Sequence, residues 1–218
     1  IMESSNRKPA ILCLHGGGTS ATIYKIQTLR LRRALSSHFD FVFLNAPFIT
    51  AAGPGVLPFF EDAGPFYSWE KPGDGGKTPK ESIMIVEEAM KRRYAETRQP
   101  FTAVMGFSQG AKLGATVMLG HQRKQKQGRT LLEGPKFGIF LMGICPRKED
   151  SERLCLPTIH VVGSNDVYRE ESKRLSAECC QQQTTTHVEL PIGHHIPNAQ
   201  AHIRELVVEI VRVYCRFL

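Results

Sequence analysis

FTAVMGFSQGAKLG, residues 101–114, joins an apolar run to a segment that can continue as a helix. Unbroken apolar character over FTAVMGF, 101–107, is how a strand buried on both faces of a parallel sheet reads. Gly106 and Gly110 flank Ser108 and remove side chains where a sharp strand-to-helix turn must pack tightly, leaving the Ser108 hydroxyl at the carboxyl end of the sheet. The same turn sets the backbone N–H of Gln109 at the N-terminus of the next helix, where negative charge is stabilised. A serine between glycines also arises by chance and can simply cap a helix. The role of Ser108 therefore depends on what the rest of the chain supplies.

Strand followed by helix recurs on both sides of this unit. Ala10 to Leu14 is a short apolar run stopped by the glycines of HGGGTS, 15–20, and Thr22 to Ser37 places Ile23, Ile26, Leu31 and Leu35 at helical spacing. FDFVFLNAP, 39–47, reads as the next strand, and Glu81 to Glu96 as a helix with Ile83, Val86 and Met90 on one face. After the helix from Gln109 to about His121, HQRKQKQGRTLLEG reads as an exposed helix end or insertion before the strand FGIFLMG, 137–143. TIHVVG, 158–163, and THVELP, 186–191, enclose a polar helix containing EESKRLSAECC, and Asn198 to Arg216 forms the last helix. Six strands alternating with helices predict a mostly parallel sheet covered on both faces, with right-handed crossovers, in a single domain spanning 1–218.

Phe48 to about Lys80 breaks this rhythm. Proline and glycine recur there, and Phe59, Phe60, Phe66, Tyr67 and Trp69 crowd together. So long an irregular stretch implies a functional loop or short elements of its own, and those five aromatics either line an apolar acyl groove or belong to the ordinary core.

With 41% hydrophobic and 22% charged residues, the composition is that of a globular protein rather than a disordered or fibrous one. The formal charge of +7 suits an acidic partner or a solvated surface. No apolar run approaches the roughly 18 residues that span a bilayer, no signal segment precedes the first strand, and Ile1 reads as an expression remnant before a native Met2. The six cysteines lack CxxC spacing, and Cys13 and Cys215 fall in apolar patterns, which fits a reducing, cytoplasmic setting. No nucleic-acid module is present, and no membrane partner is expected.

Cleaving an ester or thioester takes a nucleophile, a base, an acid to orient the base, and donors for the developing oxyanion. The glycine loop after the first strand offers Gly17 or Gly18 as a second donor beside Gln109, and a P-loop is disfavoured because no lysine follows the glycines. His15, where that strand stops, suits a loop-anchoring hydrogen bond. For the base, PIGHHIPN supplies His194 and His195; Gly193 gives His194 backbone latitude, leaving His195 as a pocket-wall or surface residue. His160 lies inside an apolar strand and reads as a core histidine. Asp166, in VVGSNDVYRE just past the fifth strand, can reach the imidazole or cap the next helix. Ser108, Asp166, His194 is the chain order of α/β-hydrolases, each residue following a strand.

Together LCLHGGGTS, FVFLNAP, GPFYSW, GFSQGAKLG, HVVGSNDVY and GHHIP resemble the fungal serine hydrolases of the FSH family, over nearly the whole chain. More specifically the chain is similar to small thioesterases found with fungal polyketide synthases. The resemblance implies a compact α/β-hydrolase fold without a large separate cap domain and a triad on Ser108, Asp166 and His194. It also implies an acyl or polyketide thioester as substrate, carried on the phosphopantetheine arm of an acyl carrier protein or synthase. A carboxylesterase acting on a small free ester shares the same triad, and a non-catalytic binding protein could retain the fold. No metal or cofactor is called for. Arg123, Lys124, Lys126 and Arg129 are the candidate docking surface for an acidic carrier, or else a solvated helix end.

Overall fold

The computed structural model describes residues 7–130, 132–146 and 152–217. The chain enters on strand β1 (Ala10–Leu14), passes through helices α1 (Ala21–Gln27) and α2 (Leu29–Ala34), and returns on β2 (Asp40–Leu44). A short pair, β3 (Phe48–Thr50) and β4 (Phe66–Ser68), precedes α3 (Lys80–Thr97), β5 (Phe101–Phe107) and α4 (Gln109–Lys126). Then follow β6 (Phe137–Leu141), β7 (Thr158–Gly163), α5 (Arg169–Cys179), β8 (Thr185–Leu190) and α6 (Gln200–Tyr214).

Six strands form one sheet in the order β2-β1-β5-β6-β7-β8, and every pairing is parallel. The central strands β1, β6 and β7 are buried at every position, which is why their sequences are continuous apolar runs rather than alternations. At the β8 edge the pattern relaxes: Val188 and Leu190 are buried while His187 and Glu189 face solvent. Side chains from α1, α2 and α6 (Tyr24, Leu31, Ile203, Leu206, Ile210) close one face over Ile11, Met105, Ile139 and Val161. On the other face, α3, α4 and α5 bring Val86, Leu113, Val117 and Leu175 against Leu12, Leu14, Val104 and Phe140. Burying each such side chain stabilises the fold by about 1.5–3 kcal/mol. The α/β-hydrolase fold expected from the sequence is the one observed.

Strand order also locates a crevice. The chain moves outward from β1 to β2, then crosses back so that β5 starts a series on the opposite side of β1. Loops leaving β1 and β5 therefore diverge, and ligands in open α/β sheets bind at that reversal, beyond the carboxyl ends of the strands.

Two local expectations need correction, and a third is resolved. The helix read over 22–37 is two helices broken at Thr28, whose hydroxyl donates to the Tyr24 carbonyl (2.7 Å) while its backbone leaves helical geometry at φ −89°, ψ 6°. The last strand-like residues of 137–143 leave the sheet because Met142 turns to φ 42°. Within 48–80, β3 and β4 pair antiparallel, Ile49 opposite Tyr67, and a 3-10 turn covers Glu61–Ala63, so this segment has elements of its own.

Candidate active site

β5 delivers Ser108 into a backbone conformation of φ 52°, ψ −114°, held by its N–H donating to the Leu141 carbonyl (3.0 Å). A positive φ at a residue with a side chain costs about 1–3 kcal/mol and persists only where the surroundings enforce it. Here the flanking glycines permit the close approach. A Cβ at Gly106 would lie 2.3 Å from the Gly110 carbonyl oxygen, and one at Gly110 would lie 2.1 Å from that of Leu14. The turn is tight because α4 starts directly on β1 and β5.

His194 Nε2 stands 3.0 Å from Ser108 Oγ, and His194 Nδ1 stands 2.8 Å from Asp166 Oδ2. The Asp166 carboxylate is fully buried and the His194 ring nearly so. An ionised carboxylate only accepts, so it holds the proton on Nδ1 and leaves the Nε2 lone pair facing the serine hydroxyl. Asp166 is itself fixed, since Oδ1 accepts the Tyr168 N–H (2.8 Å). The imidazole lies between Phe107 and Tyr168, with ring centroids 4.9 Å from each. Loops from β7 and β8 are tied together through Asn165 N–H to the Ile192 carbonyl (3.1 Å), which sets the acid and the histidine at a common height. His195 turns away and donates Nδ1–H to the Ile196 carbonyl (3.1 Å), yet it still lines the cleft.

The glycine loop after β1 is locked from beneath. Ala46 N–H donates to His15 Nε2 (3.0 Å), so the ring proton is on Nδ1, which points to the Gly16 carbonyl (2.7 Å). Burial pushes the His15 pKa down to about 4, against the raising effect of that carbonyl. Trp69 donates its indole N–H to the His15 carbonyl (2.8 Å), and its ring lies 5.1 Å from the imidazole. Gly18 is committed at both ends: its N–H donates to the Tyr67 carbonyl (2.9 Å) and its carbonyl accepts Gly53 N–H (2.9 Å). The N–H groups of Gly17 and Gln109 have no acceptor among the described residues. Of the two glycines open in the sequence, Gly17 is thus the one with a donor to offer.

A cleft of about 340 Å³ opens over Ser108, walled by Gly17, the 50–55 loop, Phe107, Ile144, Tyr168 and the two histidines. The aromatic residues expected to line it do not. Trp69 is 1% exposed and belongs to the core under the glycine loop, Phe59 is 84% exposed, and Phe60, Phe66 and Tyr67 are not in the wall. Tyr67 contributes instead through its backbone, exchanging hydrogen bonds with Gly18 and Thr19. Tyr168 and Phe107 are the aromatics at the site. Phe107 adjoins Ser108 and Tyr168 lies two residues past Asp166, the only local signal that marked them.

The basic run is equally remote. It closes α4, whose first turn carries the serine elbow, so at 1.5 Å per residue Arg123–Lys126 lies roughly 25 Å from Ser108. Arg123 and Lys126 both pair with Glu152 (2.8 and 2.9 Å), and Lys124 pairs with Glu87 (2.5 Å). Glu152 thus holds two of these cations and Glu87 the third, and Arg129 borders a separate groove of about 320 Å³ between α3 and α4. Among the described residues no cluster of histidine, cysteine and carboxylates could hold a metal, and no helix is long and apolar enough to cross a membrane. All six cysteines are free thiols.

The chain is 38% identical over 212 residues to "Esterase FUS5" of Gibberella moniliformis, covering 95% of this chain and 88% of that one. It is 30% identical over 234 residues to the "Dihydromonacolin L-[lovastatin nonaketide synthase] thioesterase" of Aspergillus terreus, covering 91% and 89%. Its fold matches the carboxylesterase of Bacillus cereus with a TM-score of 0.65 at 15% identity, covering 94% and 89%. The carboxylesterase of Mesorhizobium loti matches at 0.63 and 16%, covering 93% and 88%. A model of the serine hydrolase (FSH1) family spans residues 2–206, from before β1 into α6, so the elbow, its glycine loop and both later loops lie within it, and the chain belongs to that family of enzymes.

Proposed function

We propose that this serine hydrolase is a thioesterase that releases an acyl or polyketide chain from the phosphopantetheine arm of an acyl carrier domain. The observation that carries the catalytic part is the relay from Ser108 Oγ through His194 to the buried Asp166 carboxylate, at 3.0 and 2.8 Å. Likeness to a polyketide thioesterase supports the substrate class. Ser108 attacks the acyl carbonyl as His194 Nε2 takes its proton, and Asp166 steadies the resulting imidazolium. The N–H groups of Gln109 and Gly17 meet the oxyanion. His194 then hands its proton to the departing thiolate, leaving an acyl-serine. Water, deprotonated by His194, attacks this ester, and collapse of the second intermediate frees the acid and restores Ser108.

A carboxylesterase acting on a free ester is the second reading, favoured by relatives named as esterases. Matched thioesters and oxygen esters of one acyl series, followed by intact-protein mass spectrometry, separate the two. The thioesterase reading expects faster turnover of the thioester and an acyl adduct on the wild-type protein that is absent from Ser108→Ala. A preference for oxygen esters would move the assignment to carboxylesterase. An adduct that persists in Ser108→Ala would remove the nucleophile.

A further inference from the structure

Gln109 has a backbone N–H beside the reacting serine, but its side chain is also held in an unusual way. Its Oε1 accepts from Ser68 Oγ (3.1 Å) and from the Trp69 backbone N–H (3.2 Å). Ser68 Oγ is at the same time the acceptor for Glu70 N–H (3.1 Å), so its own proton is directed at Gln109. Turning the carboxamide over would set its NH2 against the Trp69 N–H, a group that can only donate; the orientation is therefore dictated by the network. The platform behind it is rigid. Trp69 also donates to the His15 carbonyl, accepts the Ser82 hydroxyl (2.7 Å) and is buried.

With Oε1 spoken for, Nε2 is left with two protons and no acceptor among the described residues, and it is not enclosed. The carboxamide lies flat against Gly17, where a Cβ would sit 2.6 Å from Cδ and 2.7 Å from both Nε2 and Oε1, and both residues line the cleft over Ser108. We infer that the Gln109 side chain is a specificity-determining donor that selects acyl groups bearing a hydrogen-bond acceptor, such as a 3-keto oxygen, next to the scissile carbonyl. A plain alkyl chain covering the same spot strips water from Nε2 and returns nothing, whereas a carbonyl oxygen satisfies it. This inference rests on Ser108 being the nucleophile.

The test uses hexanoyl and 3-oxohexanoyl thioesters of N-acetylcysteamine and reads kcat/KM for the 3-oxo compound divided by that for the hexanoyl compound; comparing that ratio between proteins cancels the intrinsic reactivity of the 3-oxo compound. Gln109→Met, which removes the donor, should lower the ratio about tenfold, the worth of one neutral hydrogen bond. Gln109→Glu, which keeps an acceptor for Ser68 and Trp69 but presents an anion to the substrate, should lower it further. Ser68→Ala removes one of the two donors to Oε1 without altering residue 109, loosening the carboxamide, and should move the ratio the same way by a smaller factor. Fluorophosphonate labelling at Ser108 reports that each variant retains an assembled site. A ratio within twofold of wild type in all three variants, or equal losses on both substrates, overturns the inference while leaving the thioesterase reading standing. A wild-type protein that turns over neither substrate and takes no label at Ser108 overturns both.

Discussion

Ser108 holds a conformation that a side-chain-bearing residue leaves unless its neighbours prevent it, and the neighbours here are backbone atoms of β1, β6 and α4. That strain aims Oγ at His194 Nε2. In Asp166→Asn the amide can present its NH2 to Nδ1, which puts the imidazole proton on Nε2, facing the serine. A fall in kcat of about 10³–10⁴ with KM little changed is expected on an acyl-thioester substrate. The adjacent histidines should separate cleanly: His194→Ala should lose burst labelling by a fluorophosphonate, while His195→Ala should keep it and alter KM. Reversal of that pattern would reassign the base. Ser108, Asp166 and His194 were legible in the sequence because each follows a strand and each has a local signature. The choice between Gly17 and Gly18 was not, since it turns on the hydrogen bond from Gly18 to Tyr67, far along the chain.

At the scale of elements, the β3–β4 pair braces the glycine loop after β1 and adds Thr50 and Ser68 to the cleft wall, while its aromatic side chains stay out of that wall. Crowded aromatics in an irregular stretch read equally as pocket or as core, and only packing distinguishes them. Trp69→Phe removes the donor to the His15 carbonyl and leaves the space of the lost ring unfilled in a buried site, so it should cost about 2–4 kcal/mol in urea unfolding. It should also lower kcat more than KM, for short and long acyl chains alike. An effect confined to long chains would restore Trp69 to the acyl groove. The far end of α4 makes the opposite prediction. Arg123→Glu with Lys126→Glu should leave turnover of a carrier-bound thioester as salt-dependent as before, since these side chains face Glu152 and lie remote from the cleft. A selective loss on the carrier-bound substrate would reinstate the docking surface.

Across the whole molecule, burial of two histidines couples stability to pH. His15 titrates near 4 and His160 near 3 because burial disfavours the charged ring, with His187 adding repulsion at His160, against 6.5 for an ordinary histidine. Both are neutral in the fold, and the unfolded chain binds their protons first as pH falls. Their contribution is therefore complete above about pH 6.5, declines as the pH drops from there toward 4 and 3, and changes no further below those values. The loss amounts to roughly 3 kcal/mol from His15 and somewhat more from His160. Urea unfolding at pH 7.5 and 4.5 should show it, and His160→Gln, which cannot charge, should narrow the difference between the two. An unchanged difference would mean that His160 titrates normally.

Periodicity and local chemistry in the sequence alone determined the alternation of strands and helices, the α/β-hydrolase class and the strand ends that carry Ser108, Asp166 and His194. Continuous apolar runs have few places to go except the middle of a parallel sheet, and a glycine-flanked serine after such a run has a sharp turn available to it. Tertiary structure decided which amides are left to donate, which aromatics line the cleft, where the charge of the basic run is spent and which way the Gln109 carboxamide points. Each of those depends on partners tens of residues away, Tyr67 for Gly18, His15 for Trp69, Glu152 for Arg123 and Ser68 for Gln109, and no local pattern records which distant group arrives.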